Sequence, residues 1–393
     1  MDQIGIDNIS FHIPERYLAM DELAARHNID PSKFSRGIGQ NKIAVPEHNE
    51  DIVTLAAEAA QRVLDTSDCD NIDTLLFATE TGIDQSKSAG IYVHRLLGLP
   101  SAVRNVELKQ ACYSATAALQ LACGHIARRP DKKVLVIASD ISRYDLNSSA
   151  EATQGAGAVA MLVSSNPRIL AVDTASGCHS EDIMDFWRPH YRHTPLVDGK
   201  YSALKYLQSM TKAWDDYLLN GGRAYNDFAQ FSFHLPFARM GEKAHQRLAS
   251  YNNVAADQHK AEPGLTYTRQ IGNCYAGSLY LSLVSALENS SDDLSGKAMG
   301  LYSYGSGAVA EFFSGEVQGG YQTHLHSTHH RSLIDDRSAL TYDEYLELWH
   351  APDPRDGSSV SITGKASASS STRGRFQLTG ISDHKRHYEA IVS

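Results

Sequence analysis

Apolar and polar positions alternate along this chain with two periods, and the switches between them mark its elements. Ile4 to Ile13 follows period two until Pro14 ends it, which predicts a first strand, and Asp21 is placed to cap a short helix through Arg26. Ile52, Leu55, Ala56, Ala59 and Val63 recur at helical spacing and predict a helix over 51–64. The run from Ile72 is almost wholly apolar until it ends on Glu80, the pattern of a strand covered on both faces. Then come a helix over 86–97, a strand over 103–108, an Ala-rich helix over 113–128, and strands over 133–139 and 156–163. These complete an alternating α/β half.

The pattern starts again at Arg168. A strand over 169–175, a helix over 202–219, a strand over 228–233 ending at His234, helices over 239–251 and 275–289, and strands over 298–304 and 308–313 follow. Gly155-Ala-Gly-Ala-Val-Ala-Met-Leu-Val matches Gly305-Ser-Gly-Ala-Val-Ala-Glu-Phe-Phe, each after an apolar strand that follows a long helix. The match predicts an internal duplication, with halves at 1–166 and 167–393. In this alignment Asn273 falls where Cys112 falls, and His234 where Glu80 falls. A site between the halves would collect all four. Residues 342–349 read as a helix, the Ser- and Gly-rich 356–373 as a loop, and 376–392 as strand and tail.

Charge and cysteine usage narrow the class. The 393 residues carry a net charge of −10 with no polybasic stripe, which gives no basis for nucleic-acid or acidic-membrane partners. Five scattered cysteines without CxxC pairing point to a reducing cytoplasm rather than a disulfide scaffold. The N-terminus lacks a basic n-region, and no apolar run reaches bilayer length, so neither export nor membrane insertion is indicated.

Cys112 sits at a strand-to-helix junction, where the helix dipole and unpaired N–H groups are expected to ease ionisation of a thiol. The helix behind it is small or apolar on nearly every face, which predicts a fully buried element. An inert core cysteine fits that stretch equally well. Glu80 alone reads as a solvated strand end, His234 equally as a core or a catalytic histidine, and Asn273 as a helix cap; together with a thiol they suggest acyl transfer with proton abstraction. His324, His326, His329 and His330 lack the spacing of a metal site and read as a solvated loop. Gly155 and Gly157 lack the third glycine of a dinucleotide fingerprint, and no phosphate-binding P-loop motif occurs, so neither nicotinamide nor ATP is indicated.

A series of segments carries a family resemblance: Ala78-Thr79-Glu80-Thr81, Lys109-Gln110-Ala111-Cys112-Tyr113-Ser114-Ala115-Thr116, Asp185-Phe186-Trp187-Arg188-Pro189, Pro195-Leu196-Val197-Asp198-Gly199, Phe233-His234-Leu235-Pro236-Phe237, Gly272-Asn273-Cys274-Tyr275-Ala276-Gly277-Ser278-Leu279-Tyr280 and Ser303-Tyr304-Gly305-Ser306-Gly307. In this order, and up to about Tyr342, the chain resembles the bacterial 3-hydroxy-3-methylglutaryl-CoA synthases of the thiolase-like superfamily. The resemblance implies a duplicated five-layered α/β/α/β/α fold, a homodimer, and condensation of acetyl-CoA with acetoacetyl-CoA in the mevalonate route to isoprenoids, with no cofactor beyond those thioesters. It implies that Cys112 is acetylated, that Glu80 takes a proton from the acetyl methyl, and that His234 orients the second substrate with support from Asn273. Backbone N–H groups at Cys112 and Ser306 would form an oxyanion hole. Asp185, Asp198 and Tyr144 would fix the geometry, and Arg239 and Lys243 would face CoA, with Arg239 standing where the family usually has Lys. Two relatives of this chemistry remain as alternatives: a β-branching synthase acting on acyl-carrier-protein substrates, and a ketoacyl-ACP synthase III type condensing enzyme, which would have no use for Glu80.

Overall fold

Strands buried on both faces set the architecture. In the strand Lys133–Ser142, Val134, Val136 and Ala138 enter one apolar cluster while Leu135 and Ile137 enter another. In Ile72–Ala78, Leu76 and Ala78 divide in the same way from Leu75 and Phe77. Successive side chains point to opposite faces, so a strand with helices on both sides has no position to spare for a polar residue. The polar residues therefore gather at strand ends. The computed structural model describes residues 3–351, 357–362 and 375–391.

Nine strands form one hydrogen-bonded series. In spatial order they are Phe228–Phe233, Ala298–Gly305, Val309–Val317, Leu170–Ser180, Ile4–His12, Gly155–Ser165, Lys133–Ser142, Ile72–Ala78 and Arg104–Leu108. The last five belong to the first half of the chain and the first four to the second half. The halves meet between Ile4–His12 and Leu170–Ser180 through only two residue pairs, Gly5 with Ala171 and Ile6 with Leu170. That contact is close enough that a Cβ on Gly5 would lie 2.0 Å from the Leu170 carbonyl oxygen.

The layers follow from which cluster each helix joins. Ile52–Leu64 packs on the outer face of the first half, with Ala89–Leu96 beside it. Ser114–Arg128 and Ser278–Asn289 share the central cluster with strands of both halves. Gly199–Leu219 and Ala238–Tyr251 cover the outer face of the second half around Trp214, Phe228, Phe231 and Phe312. This is the duplicated five-layered α/β/α/β/α order. A satellite unit of three short strands and two helices packs around Leu18, Leu23, Ile43 and Tyr345.

Several local features differ from the sequence-based expectation. Ala19, not Asp21, occupies the N-cap of the helix Met20–His27, and Asp21 lies in its first turn. The Ser114–Arg128 helix is not fully buried: Leu121 is 58% exposed, because one stripe of the helix reaches past the sheets. The histidine cluster is not a solvated loop. It falls on a 3-10 turn and on the helix Ser327–Asp335 with its N-cap His326, and His326, His330 and Leu333, at spacings of four and three, are buried on one side. His330 is fully enclosed, stacked on Phe11 and bonded through Nδ1 to Glu288 at 2.8 Å. Within the Ser- and Gly-rich stretch, Val360–Ser361 is a short strand against Gly380 and Ile381, and 363–373 lies outside the described residues, as does Asp356. The tail is a hairpin of Phe376–Ser382 and Lys385–Ala390.

Candidate active site

Two strained turns open the central helices. Ala111 has φ of +45° three residues before the helix Ser114–Arg128 begins, and Tyr275 has φ of +42° three residues before Ser278–Asn289 begins. A side chain in the left-handed region costs free energy, and such residues collect at functional sites. Counted from the two helix starts, Ala111 stands level with Tyr275, which sets Cys112 level with Ala276 rather than with Asn273. Asn273 precedes the second turn and holds it: its Oδ1 accepts from the Tyr275 N–H at 2.8 Å and the Ser278 hydroxyl at 2.8 Å. Gly272 before it has φ of +89°, and a Cβ there would lie 1.9 Å from the Gln154 carbonyl oxygen.

Glu80 lies two residues beyond the end of Ile72–Ala78 and meets the thiol. Cys112 Sγ donates to Glu80 Oε2 at 3.8 Å, and Glu80 Oε1 is enclosed without a hydrogen-bond partner. The turn carrying Glu80 hangs on Asp140, which sequence reasoning missed. Asp140 Oδ1 accepts from the hydroxyls of Thr79 (2.7 Å) and Thr81 (2.6 Å) and from the N–H groups of Glu80 (2.9 Å) and Thr81 (3.0 Å). Its Oδ2 accepts from the N–H of Ala276 at 3.0 Å, so one fully buried carboxylate ties the Glu80 turn to the second central helix. Like Glu80, it is a lone acid ending a long apolar strand, and the rule that found one would have found the other.

A hairpin pairing Phe186 with Val197 and Trp187 with Leu196 lies across this pair. Its root is Asp185, fully buried, which accepts from Tyr304 Oη (2.8 Å), Ser202 Oγ (3.0 Å) and the Gly307 N–H (2.9 Å). Those bonds fix the turn that holds Ser306, whose carbonyl accepts from Gln110 Nε2 at 3.3 Å. Arg188 donates to the Glu80 main-chain carbonyl. Arg192 and Thr194 tie the hairpin tip to Asp145. Phe186 packs with Tyr144 and Tyr275 beside Cys112. Asp198 stands apart: it is exposed and caps the helix Gly199–Leu219, accepting from the Tyr201 N–H at 3.0 Å.

His234 follows Phe228–Phe233 directly. Its N–H donates to the Tyr302 carbonyl at 2.8 Å, its own carbonyl accepts from Tyr206 Oη at 2.8 Å, and its Nδ1 is enclosed without a partner. Tyr206 packs edge-on against Tyr304, which links His234 to Asp185 and the Ser306 turn. Arg239 and Lys243 are exposed, four apart on one face of Ala238–Tyr251, and Arg239 also donates to the Arg36 carbonyl.

Burial and charge decide the protonation states. Burial first, and the Asp140 carboxylate second, push Glu80 well above the usual carboxylate range, while Arg188 pulls it down. Contrary to the sequence-based expectation, Cys112 is pushed well above the ordinary thiol range. Burial is the main cause, and the carboxylates of Glu80, Asp140 and Asp185 add to it. Burial together with these acids, which arrive from three distant segments, keeps the thiol protonated despite its place at a helix start. Burial lowers His234 to about 3, leaving a neutral imidazole. The site thus pairs a neutral, buried thiol with a base of raised pKa, an arrangement suited to passing protons one at a time.

The comparisons with known proteins agree with this geometry. A family profile described as hydroxymethylglutaryl-coenzyme A synthase N terminal matches residues 1–168, and its C-terminal companion matches residues 170–263 and 251–391. The chain is 48% identical over 349 residues to the hydroxymethylglutaryl-CoA synthase of Enterococcus faecalis, covering 88% of this chain and 91% of that one. It is 32% identical over 375 residues to a polyketide biosynthesis 3-hydroxy-3-methylglutaryl-ACP synthase of Bacillus subtilis, covering 89% and 88%. Among solved structures, a hydroxymethylglutaryl-CoA synthase complexed with CoA superposes with a TM-score of 0.92 at 39% identity, covering 99% of this chain and all of that one. The synthase of the curacin biosynthetic pathway superposes at 0.91 with 33% identity, covering 99% and 100%. With both profiles matched across nearly its whole length and the thiol, carboxylate and histidine standing at the strand and helix ends just described, the chain belongs to the hydroxymethylglutaryl-CoA synthase family.

Proposed function

We propose that the protein condenses acetyl-CoA with acetoacetyl-CoA and water to give 3-hydroxy-3-methylglutaryl-CoA and free CoA, in the mevalonate route to isoprenoids. The observation that carries this reading is the Cys112–Glu80 pair, 3.8 Å apart, with the thiol buried. Cys112 takes the acetyl group from acetyl-CoA. Glu80 removes a proton from the acetyl methyl, and the resulting carbanion equivalent attacks the ketone of acetoacetyl-CoA. Neutral His234 hydrogen-bonds that ketone oxygen, and backbone N–H groups at Cys112 and Ser306 stabilise the developing charge. Water then cleaves the thioester to Cys112. Asn273, Asp185 and Tyr144 hold the surrounding turns, Asp198 acts through the helix it caps, and Arg239 and Lys243 offer charge to the CoA phosphates. The halves at 1–166 and 167–393 each bring part of this set.

The reaction needs no cofactor beyond the CoA of its substrates. The identity of 48% to a relative named as a hydroxymethylglutaryl-CoA synthase, against 32% to one named as a 3-hydroxy-3-methylglutaryl-ACP synthase, supports CoA thioesters over carrier-protein thioesters. The protein works as a homodimer in this reading: Arg104–Leu108 is an edge strand with Val106 44% exposed, ready to pair with a second copy. Five unpaired cysteines suit a cytoplasmic setting. Among the described residues no helix is long and apolar enough to cross a membrane.

The test is to incubate the protein with radiolabelled acetyl-CoA, isolate the acyl-enzyme, and follow the loss of acetoacetyl-CoA. Label on Cys112 and condensation are expected. Absence of both, or label retained in Cys112→Ala, sinks the proposal.

A further inference from the structure

Three aromatic rings from separate parts of the chain close around the Cys112 thiol. Tyr144 follows the strand Lys133–Ser142, Tyr275 stands on the strained turn, and Phe186 comes from the hairpin. Ring centroids lie 6.2 Å apart for Tyr144 and Phe186, 6.4 Å for Tyr144 and Tyr275, and 5.8 Å for Phe186 and Tyr275, each pair edge to face. Cys112 joins them in one apolar cluster. Rings at such spacing touch, so the space beside Sγ is bounded by stiff planes and not by adaptable aliphatic chains.

None of the rings is free to step aside. Tyr275 is held by Asn273, and the Tyr144 N–H donates to Gln154 Oε1 at 2.8 Å. Phe186 is one residue from the triply bonded Asp185, and the far end of its hairpin is tied to Asp145. Of the three, Phe186 is half-buried and carries no hydroxyl, whereas Tyr144 and Tyr275 are 6% and 2% exposed. It is the ring whose size can change without orphaning a polar group.

We propose that Phe186 is the acyl-length gate of this site: set against Tyr144 and Tyr275, its ring admits a two-carbon acyl group onto Cys112 and rejects longer ones. The inference rests on Cys112 being acylated by a CoA thioester. In that transfer the Sγ–acyl bond forms as the acyl–sulfur bond to CoA breaks, and the proton of the Cys112 thiol ends on the departing CoA sulfur. An acetyl group leaves only its methyl beside Glu80. The extra methylene of a propionyl group has to enter the contact between the rings.

The test loads full-length wild type, Phe186→Leu, Phe186→Ala and Met184→Ala with acetyl-CoA or propionyl-CoA and times acyl-enzyme formation by intact mass. Met184 is a control on the same segment, 63% exposed and outside the ring cluster. Wild type is expected to load acetyl faster by about 10- to 200-fold, the range for one methylene in an apolar pocket. That ratio falls by about tenfold or more in Phe186→Ala and by less in Phe186→Leu, and it holds in Met184→Ala. An unchanged ratio in both Phe186 variants overturns the gate, as does an equal fall in Met184→Ala, which would make it a general loosening of the hairpin. Should Phe186→Ala load neither donor, Phe186→Leu decides; if that also loads neither, the ring is needed for loading itself and the gate is refuted. Failure of wild type to load acetyl refutes the underlying reading instead.

Discussion

Cys112 Sγ and Glu80 Oε2 lie 3.8 Å apart, and the thiol donates to the carboxylate. Burial and neighbouring acids keep the thiol protonated, so any nucleophilic attack has to shed that proton as it proceeds. Glu80→Ala is expected to form acyl-enzyme and then stall, because the methyl proton has no acceptor. The loss in condensation rate should be about 10²- to 10⁴-fold, the usual yield of a general base. Trapping the acyl-enzyme by quench and intact mass, beside an assay of condensation, separates the steps. If acylation is lost as well, Glu80 has a structural role.

Arg188 and Asp140 bear on Glu80 with opposite sign. Asp140 raises its pKa and Arg188 lowers it, from a hairpin contact to the Glu80 carbonyl. The base acts only when ionised, so activity falls as pH falls through its pKa. Removing the guanidinium raises that pKa further and moves the acidic limb of the kcat/KM profile to higher pH. Arg188→Met should therefore lose rate at neutral pH and recover toward wild type in alkaline buffer, with Arg188→Lys in between. A uniform loss across the pH range would reduce Arg188 to a scaffold contact.

Asn273 has a stability role that its place in the repeat conceals. Its Oδ1 satisfies the Tyr275 N–H and the Ser278 hydroxyl, both in buried surroundings. Asn273→Ala leaves two buried donors unpaired and releases a turn held at positive φ, which should cost about 1–3 kcal/mol. Urea unfolding of the variant measures the loss, and a change within about 0.5 kcal/mol, the usual range for a surface substitution, would show that water replaces the side chain.

Much of this was legible in the chain. The apolar run from Ile72 announced a strand covered on both faces, and the Gly155 and Gly305 segments pointed to the duplication, each lying on a strand that pairs antiparallel with the apolar strand before it. The register at the nucleophile was not legible. It depends on positive φ at Ala111 and Tyr275, and neither residue is the Gly or Asn that advertises such a conformation. The hairpin over the site was equally silent, since two-residue strands at Phe186 and Leu196 are too short to show a period. The ionisation of Cys112 was not legible because burial opposes it first, and the acids that add to the effect lie far off in sequence. The histidine cluster was misjudged because a run of polar residues hid an inward face at His326, His330 and Leu333.

That inward face gives a pH dependence unrelated to catalysis. His326 is 7% exposed, bonds through Nε2 to Asn8 Oδ1 at 2.9 Å, and is lowered to about 3, first by burial and then by the charges of His330, Arg62 and His329. In the unfolded chain a histidine titrates near 6.5. Between these values the unfolded state holds a proton that the folded state refuses, so this residue makes stability fall as pH falls from about 6.5 toward 3. At pH 5 the effect is about 2 kcal/mol, from about 1.5 pH units at about 1.4 kcal/mol each. His326→Asn keeps a donor for Asn8 but has no proton to gain. Comparing urea unfolding at pH 7 and pH 5, wild type should lose about 2 kcal/mol more than the variant. Equal losses would mean that His326 accepts its proton in the folded protein, and that the buried contact with Asn8 survives as a charged one.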